Sequence, residues 1–200
     1  MLVLALALLG AGCGDDNDSA GSTPTTTETT SAAPAPEELV ARQSDVPDGF
    51  AADPGRTGVR GVEVAIEGLT PEQVDVVRRE RVAGYQATFT SPSEGVITCT
   101  AARHLTSDGA QEVADIGVDH FEASLREEGP APTSFDVGDA VGDESWAFTF
   151  ESGGVDGFLV LWRDENVLGS CTGVGAVASD PSSIVAIARA QEERISSELD

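Results

Sequence analysis

AGYQATFTSPSEGVITCTAARHLTSDGAQEVADIGVDHFEASLREE, residues 83–128, sets two strands before one helix, and that order decides the fold class. Tyr85, Ala87 and Phe89 alternate with Gln86, Thr88 and Thr90, so 83–90 reads as a strand. A second strand, 96–103, follows across the Ser-Pro-Ser-Glu-Gly loop at 91–95, giving an antiparallel hairpin. The period then changes. Val113, Ile116, Gly117, His120, Phe121, Ser124 and Leu125 lie on one stripe of a helix at 108–128, which Gly129-Pro130 ends.

The same grammar returns toward the C-terminus. Strands are predicted at 146–151, 158–163 and 167–175, joined by Gly153-Gly154 and Asp164-Glu165-Asn166 turns. A last helix starts at Asp180-Pro181 and directs Ile184, Ala188, Gln191 and Ile195 inward. Upstream, Thr70-Pro71-Glu72-Gln73 has the residues of a capped helix start, running to about Arg81. A strand is expected over 59–67 from Val62, Val64 and Ile66, and a short helix over 37–43. Strand meanders separated by helices predict an α+β fold, an antiparallel sheet with helices packed on one face. The repeated strand-strand-helix order suggests two similar halves, 83–128 and 158–199.

Composition excludes several function classes. The 200 residues hold 35 Asp and Glu against 11 basic residues, all Arg, for a net charge of −24. A phosphate backbone needs a basic partner surface, so nucleic acid is excluded. High negative charge favours a soluble monomer. No apolar run reaches the roughly 20 residues of a spanning helix. There is no P-loop, H-E-x-x-H or G-x-G-x-x-G, so no cofactor or metal is expected.

The N-terminus is a different matter. Eight apolar residues, Leu2 to Leu9, lead through Gly10, Ala11 and Gly12 to Cys13, and the chain turns acidic at once with Asp15, Asp16 and Asp18. This segment resembles a bacterial lipoprotein signal, in which a Cys after small residues becomes the lipidated N-terminus. The resemblance implies a signal segment at 1–12 and lipid on Cys13, with Gly10 where Leu is usual. The apolar run starts without basic residues, and a basic stretch upstream of Met1 is expected. Two or more acyl chains anchor stably, at about 0.8 kcal/mol per buried CH₂, so the membrane would be the partner that Cys13 binds. From 14 to 36 there is no Leu, Ile, Val or aromatic residue. Residues 13–36 are therefore expected to be a disordered spacer, and 37–200 one globular domain on the outer face of the membrane. The whole layout resembles small surface lipoproteins of GC-rich Gram-positive bacteria, and it carries no functional residues across.

With Cys13 acylated, Cys99 and Cys171 remain. In an oxidising compartment they are expected to form a disulfide closing a loop of roughly 70 residues, worth about 4 kcal/mol. The alternatives are a zinc site with His104 and His120, which lacks the short ligand spacings of structural zinc, or a thiolate paired with either histidine. Asp136, Asp139, Asp143 and Glu144 crowd one loop that could hold Ca²⁺, although the plainer reading is a pair of solvated turns. Trp146, Phe148, Phe150, Phe158 and Trp162 recur at strand period and suit a packed sheet face better than a pocket. Arg78-Arg79-Glu80-Arg81 is the basic cluster of an acidic chain. It suits pairing with nearby carboxylates, with an anion site as the alternative.

These features predict a non-catalytic binding or sensing domain for an envelope protein or small ligand. Two alternatives come from other classes: a cell-envelope hydrolase using His104 or His120, and a calcium-dependent adhesion module built on loop 136–144. No residue is assigned a catalytic role.

Overall fold

A computed structural model describes residues 34–139 and 141–199. The signal segment, Cys13 and the spacer up to residue 33 lie outside the described residues. At the centre are the hairpin strands β3 (Arg81–Ser91) and β4 (Gly95–His104), joined by the expected loop. Short strands β1 (Ala51–Ala52) and β2 (Gly58–Val59) both pair with β3. On its other side β4 pairs with β8 (Val167–Val174), and the sheet continues through β7 (Val155–Asp164) and β6 (Glu144–Ser152) to β5 (Thr133–Ser134). Every pairing is antiparallel. The fold is therefore α+β, with an antiparallel sheet as the sequence predicts.

The helices divide between the two faces of the sheet instead of sharing one. The cause lies in the strands: Phe158-Leu159-Val160-Leu161-Trp162 is apolar at every position, so both faces of the central strands need cover. On one face α5 (Pro181–Leu199) sets Ile184, Ile187 and Ile195 against Ile97, Val160 and Trp162. Burying each isoleucine contributes about 1.5–3 kcal/mol. The short α1 (Pro36–Leu39) adds Leu39 to the same core. On the other face α4 (Ser107–Glu128) brings Ala110, Val113 and Ala114 onto Leu168, beside Val77 of α3 (Pro71–Glu80). Phe121 of α4 meets Phe148 and Phe150 at 5.6 and 5.4 Å. The strand aromatics are thus shared, Trp146, Phe148 and Phe150 toward α4, Phe158 and Trp162 toward α5.

This division also decides the question of duplication. Sheet order β3-β4-β8-β7 mirrors itself about the β4–β8 pair, and a helix follows each of β4 and β8. A two-fold axis normal to the sheet would leave both helices on one face, whereas α4 and α5 lie on opposite faces. The two halves share connectivity without being superposable units.

Cys99 and Cys171 face each other in the β4–β8 register and are joined by a disulfide across 72 positions, with Cα atoms 4.1 Å apart. A zinc site or free thiolate built on them is thereby corrected, and His120 belongs to α4 on the other side of the sheet.

Three local expectations change. Residues 62–65 form a helix, α2 (Val62–Ala65), and not a strand. Val62, Ala65 and Ile66 fit helical spacing as well as alternation does, and packing against the α3–α4 core chooses the helix. α1 stops at Leu39 because Val40 turns extended, letting the Ala41 amide donate to Gln191 Oε1 at 3.0 Å. The folded unit also begins earlier than residue 37. Pro36 opens α1 and is buried, and Arg103 Nη1 donates to the Pro34 carbonyl at 3.2 Å. Proline, a spacer residue by composition, is equally suited to a first helical turn.

Candidate functional site

The junction of α3 and β3 is where the basic cluster lies, and the change of secondary structure there sorts its side chains. α3 is set by its start: Thr70 Oγ1 accepts from the Gln73 amide at 3.4 Å, and Gln73 Oε1 from the Thr70 amide at 3.0 Å. Ten residues later the helix ends at Glu80, and Arg81 is extended, at φ −74° and ψ 121°. Arg78 and Arg79, still helical, point outward and pair with Glu63 and with Glu80 and Glu112. The second oxygen of Glu80 takes the Thr106 hydroxyl at 3.3 Å. So the carboxylate next to Arg81 is already engaged.

Arg81 instead turns inward. Its guanidinium lies over Gly84, where a Cβ would stand 2.0 Å from Nη2. Nη2 donates to the Arg60 carbonyl at 3.4 Å, Nε is buried without a partner, and no carboxylate pairs with Arg81 among the described residues. Burial, and secondly the charge of Arg60, weaken its hold on the proton. Arg60 itself donates to Gln86 Oε1, a neutral group. Two guanidinium groups therefore neighbour each other, and among the described residues no carboxylate pairs with either, on a chain of net charge −24. A buried charge without a partner is costly.

Beside Arg81 is a cavity of about 180 Å³. Thr100, Ala102, Leu161 and Leu168 of the sheet form its floor, and Val113, Ala114 and Ile116 of α4 its roof. Ala65, Leu69 and Val77 close one side. Gly117 and His120 complete the roof, and His120 also lines a wider surface groove of about 530 Å³ with Gly68, Thr70 and Gln73. Gly68, at φ +79°, allows the imidazole to approach: a Cβ there would lie 2.8 Å from His120 Cε1. Thr100 Oγ1 and Ser170 Oγ share a hydrogen bond of 2.7 Å.

The histidines are placed apart. His104 ends β4, opposite Arg81, with 1% exposure and neither ring nitrogen bonded among the described residues. Burial first, then the Arg81 charge, hold its pKa down at about 4, against a smaller opposite pull from Glu80. It is neutral at pH 7 and buried. His120 makes no hydrogen bond to a described protein group. Among the described residues no hydrogen bond joins either ring to a carboxylate or hydroxyl, the link on which nucleophile–base chemistry depends.

In loop 136–144 two of the four carboxylates are tied to protein groups. Asp136 Oδ1 accepts from the Gly138 amide at 2.8 Å, and Asp143 Oδ2 from Arg163 Nη1 at 2.9 Å and the Glu165 amide at 3.0 Å. Arg189 donates to the carbonyls of Val137 and Asp139 at 2.8 and 3.3 Å. Among the described residues no three His, Cys, Asp or Glu side chains gather as metal ligands, and no helix is long and apolar enough to cross a membrane.

The sequence pointed to the cluster containing Arg81 and to His120, but not to the space between them. Its visible traces were a glycine and a histidine, Gly117 and His120, on a mostly apolar helical stripe.

No family model matches this chain, and no curated protein matches it. Among solved structures it is similar to the extracellular domain of PknH from Mycobacterium tuberculosis, with 14% identity and a TM-score of 0.51. The match covers 87% of this chain and 100% of that one. At this identity the likeness is one of fold.

Proposed function

We propose that this chain is an extracytoplasmic binding module, tethered by lipid on Cys13 and without catalytic chemistry of its own. The observation that carries the binding role is the cavity under α4, mostly apolar on floor and roof with one inward arginine. A few convergent polar groups in an apolar recess are what small-molecule sites look like. Histidines without orienting partners favour binding over hydrolysis. The location outside the membrane is supported by the disulfide, by the signal-like residues before Cys13 and by the extracellular character of the PknH domain.

Two measurements test this reading. A bacterium producing the full chain is fed an alkyne-bearing palmitate; the mature chain takes up label, and Cys13→Ala loses it. An unlabelled chain, or one recovered from cytosol, would refute the anchor. Titration of the ¹⁵N-labelled protein with octanol is expected to move the amide signals of Ala114, Gly117 and Leu168. Signals that stay still with every apolar probe would refute the cavity as a binding site.

A further inference from the structure

We propose that the cavity under α4 takes a short amphiphile with a carboxylate head, the head pairing with Arg81 and the hydrocarbon lying between Val113, Ala114, Leu161 and Leu168. This deepens the binding role above and rests on it.

Three observations on the structure converge. The first is a half-buried arginine whose Nε is buried without a partner and which meets no carboxylate among the described residues, in a chain where Asp and Glu outnumber Arg by 35 to 11. Carboxylates were abundant in sequence, yet Glu80, the adjacent one, is held by Arg79 and Thr106. The second is the glycine at position 84, which gives the guanidinium its place on the sheet: any side chain there would collide with it. The third is the adjoining space, about 180 Å³ and mostly apolar. An apolar cavity of roughly 150 Å³ accepts benzene, so this one suits a ring or a chain of about eight carbons.

The charge of the head follows from the site. A guanidinium presents a planar fork to which a carboxylate is complementary. Arg60 nearby adds positive potential and gives no counter-anion. An ammonium head would face two like charges, and a hydroxyl would leave the buried charge uncompensated. No carboxylate is among the residues that line the cavity.

The experiment titrates the full chain with octanoate, octanol and octylammonium, reading the amide signals of Ala114, Gly117 and Leu168. Octanoate is expected to bind at least about tenfold more tightly than octanol, the ratio that one charge-assisted hydrogen bond supplies. Octylammonium is expected to leave these signals in place. Arg81→Met should remove the preference of octanoate over octanol. Gly117→Leu should abolish binding of both, and its folding is not in question: a Cβ at Gly117 meets nothing within 4 Å, and leucine is the better helix former. Equal affinities for octanoate and octanol, with Gly117→Leu blocking both, would overturn the carboxylate and leave the binding role standing. No shift with any probe would overturn both. A folded Arg81→Met protein that still prefers octanoate would overturn the assignment to Arg81. Should Arg81→Met fail to fold, the octanoate-to-octanol ratio in the unaltered chain and the Gly117→Leu block decide.

Discussion

Arg81 stands directly opposite His104 in the β3–β4 register, so a guanidinium and an imidazole share one buried end of the sheet. Burial first, and then the arginine's charge, keep the histidine neutral, and the histidine gives the arginine no acceptor, since neither ring nitrogen is bonded among the described residues. The fold thus carries two polar groups whose needs it does not itself meet.

Stability should fall with acid through His104. Between an unfolded value near 6.5 and a folded value of about 4, the unfolded chain takes up a proton that the folded chain refuses. The contribution is complete above pH 6.5 and declines as pH drops toward 4, by up to about 3 kcal/mol. Urea unfolding at pH 7 and pH 5 measures it. His104→Leu loses no hydrogen bond and should flatten the slope in this window; an unchanged slope would assign it to other groups.

The same substitution should have opposite signs at two glycines. Gly169→Ala would place a Cβ 2.3 Å from the Trp162 ring, which is fully buried, and should destabilise by about 1–3 kcal/mol. Gly117→Ala meets open space in mid-helix and should stabilise by roughly 0.5–1 kcal/mol. Thermal melts of the two variants check both.

The disulfide should contribute about 4 kcal/mol, because Cys99 and Cys171 close a span of 72 positions. A thiol assay on a Cys13→Ser chain before reduction should find no free thiol. Reduction, or the double change Cys99→Ala with Cys171→Ala, should lower the urea midpoint accordingly.

Arg194 fastens the N-terminal segment to α5. Its Nη2 meets Asp45 Oδ2 at 2.8 Å and its Nη1 the Val40 carbonyl at 3.1 Å, with both charged side chains largely buried. Burial pushes the Asp45 carboxyl up, but hydrogen bonds from the Arg42 amide and Arg194 together outweigh it and hold it below the usual range. Its contribution is present above the unfolded value and lost as pH falls through the folded one. Asp45→Asn should cost about 1–3 kcal/mol and open residues 40–50 to proteolysis, seen as earlier cleavage there.

The hairpin, the capped helix and the C-terminal meander were legible because their signals are local. Thr70, Pro71 and Gln73 set a helix start with no help from elsewhere, and the alternation in 83–90 needs only its own pleat. Where a segment satisfied two periods, as at Val62, Ala65 and Ile66, the sequence was silent and the α3–α4 core chose. The continuous apolar run in β7 already implied cover on both sides of the sheet. Which helix goes to which face depended on chain connectivity.

By itself, then, the sequence determined the class of the fold, the order of its elements and the pair of cysteines free to join, since these follow from periodicity, turn residues and counting. Only the tertiary structure decided that Arg81 turns inward while Arg78 and Arg79 turn out. A helix ending one residue earlier or later would rotate a different side chain onto the sheet, and where it ends is fixed by packing of α3 against α4. The cavity has the same origin. It is the space left between α4, where Gly117 has no side chain, and Thr100, Ala102, Leu161 and Leu168 on strands distant in the chain, and no stretch of sequence contains both walls.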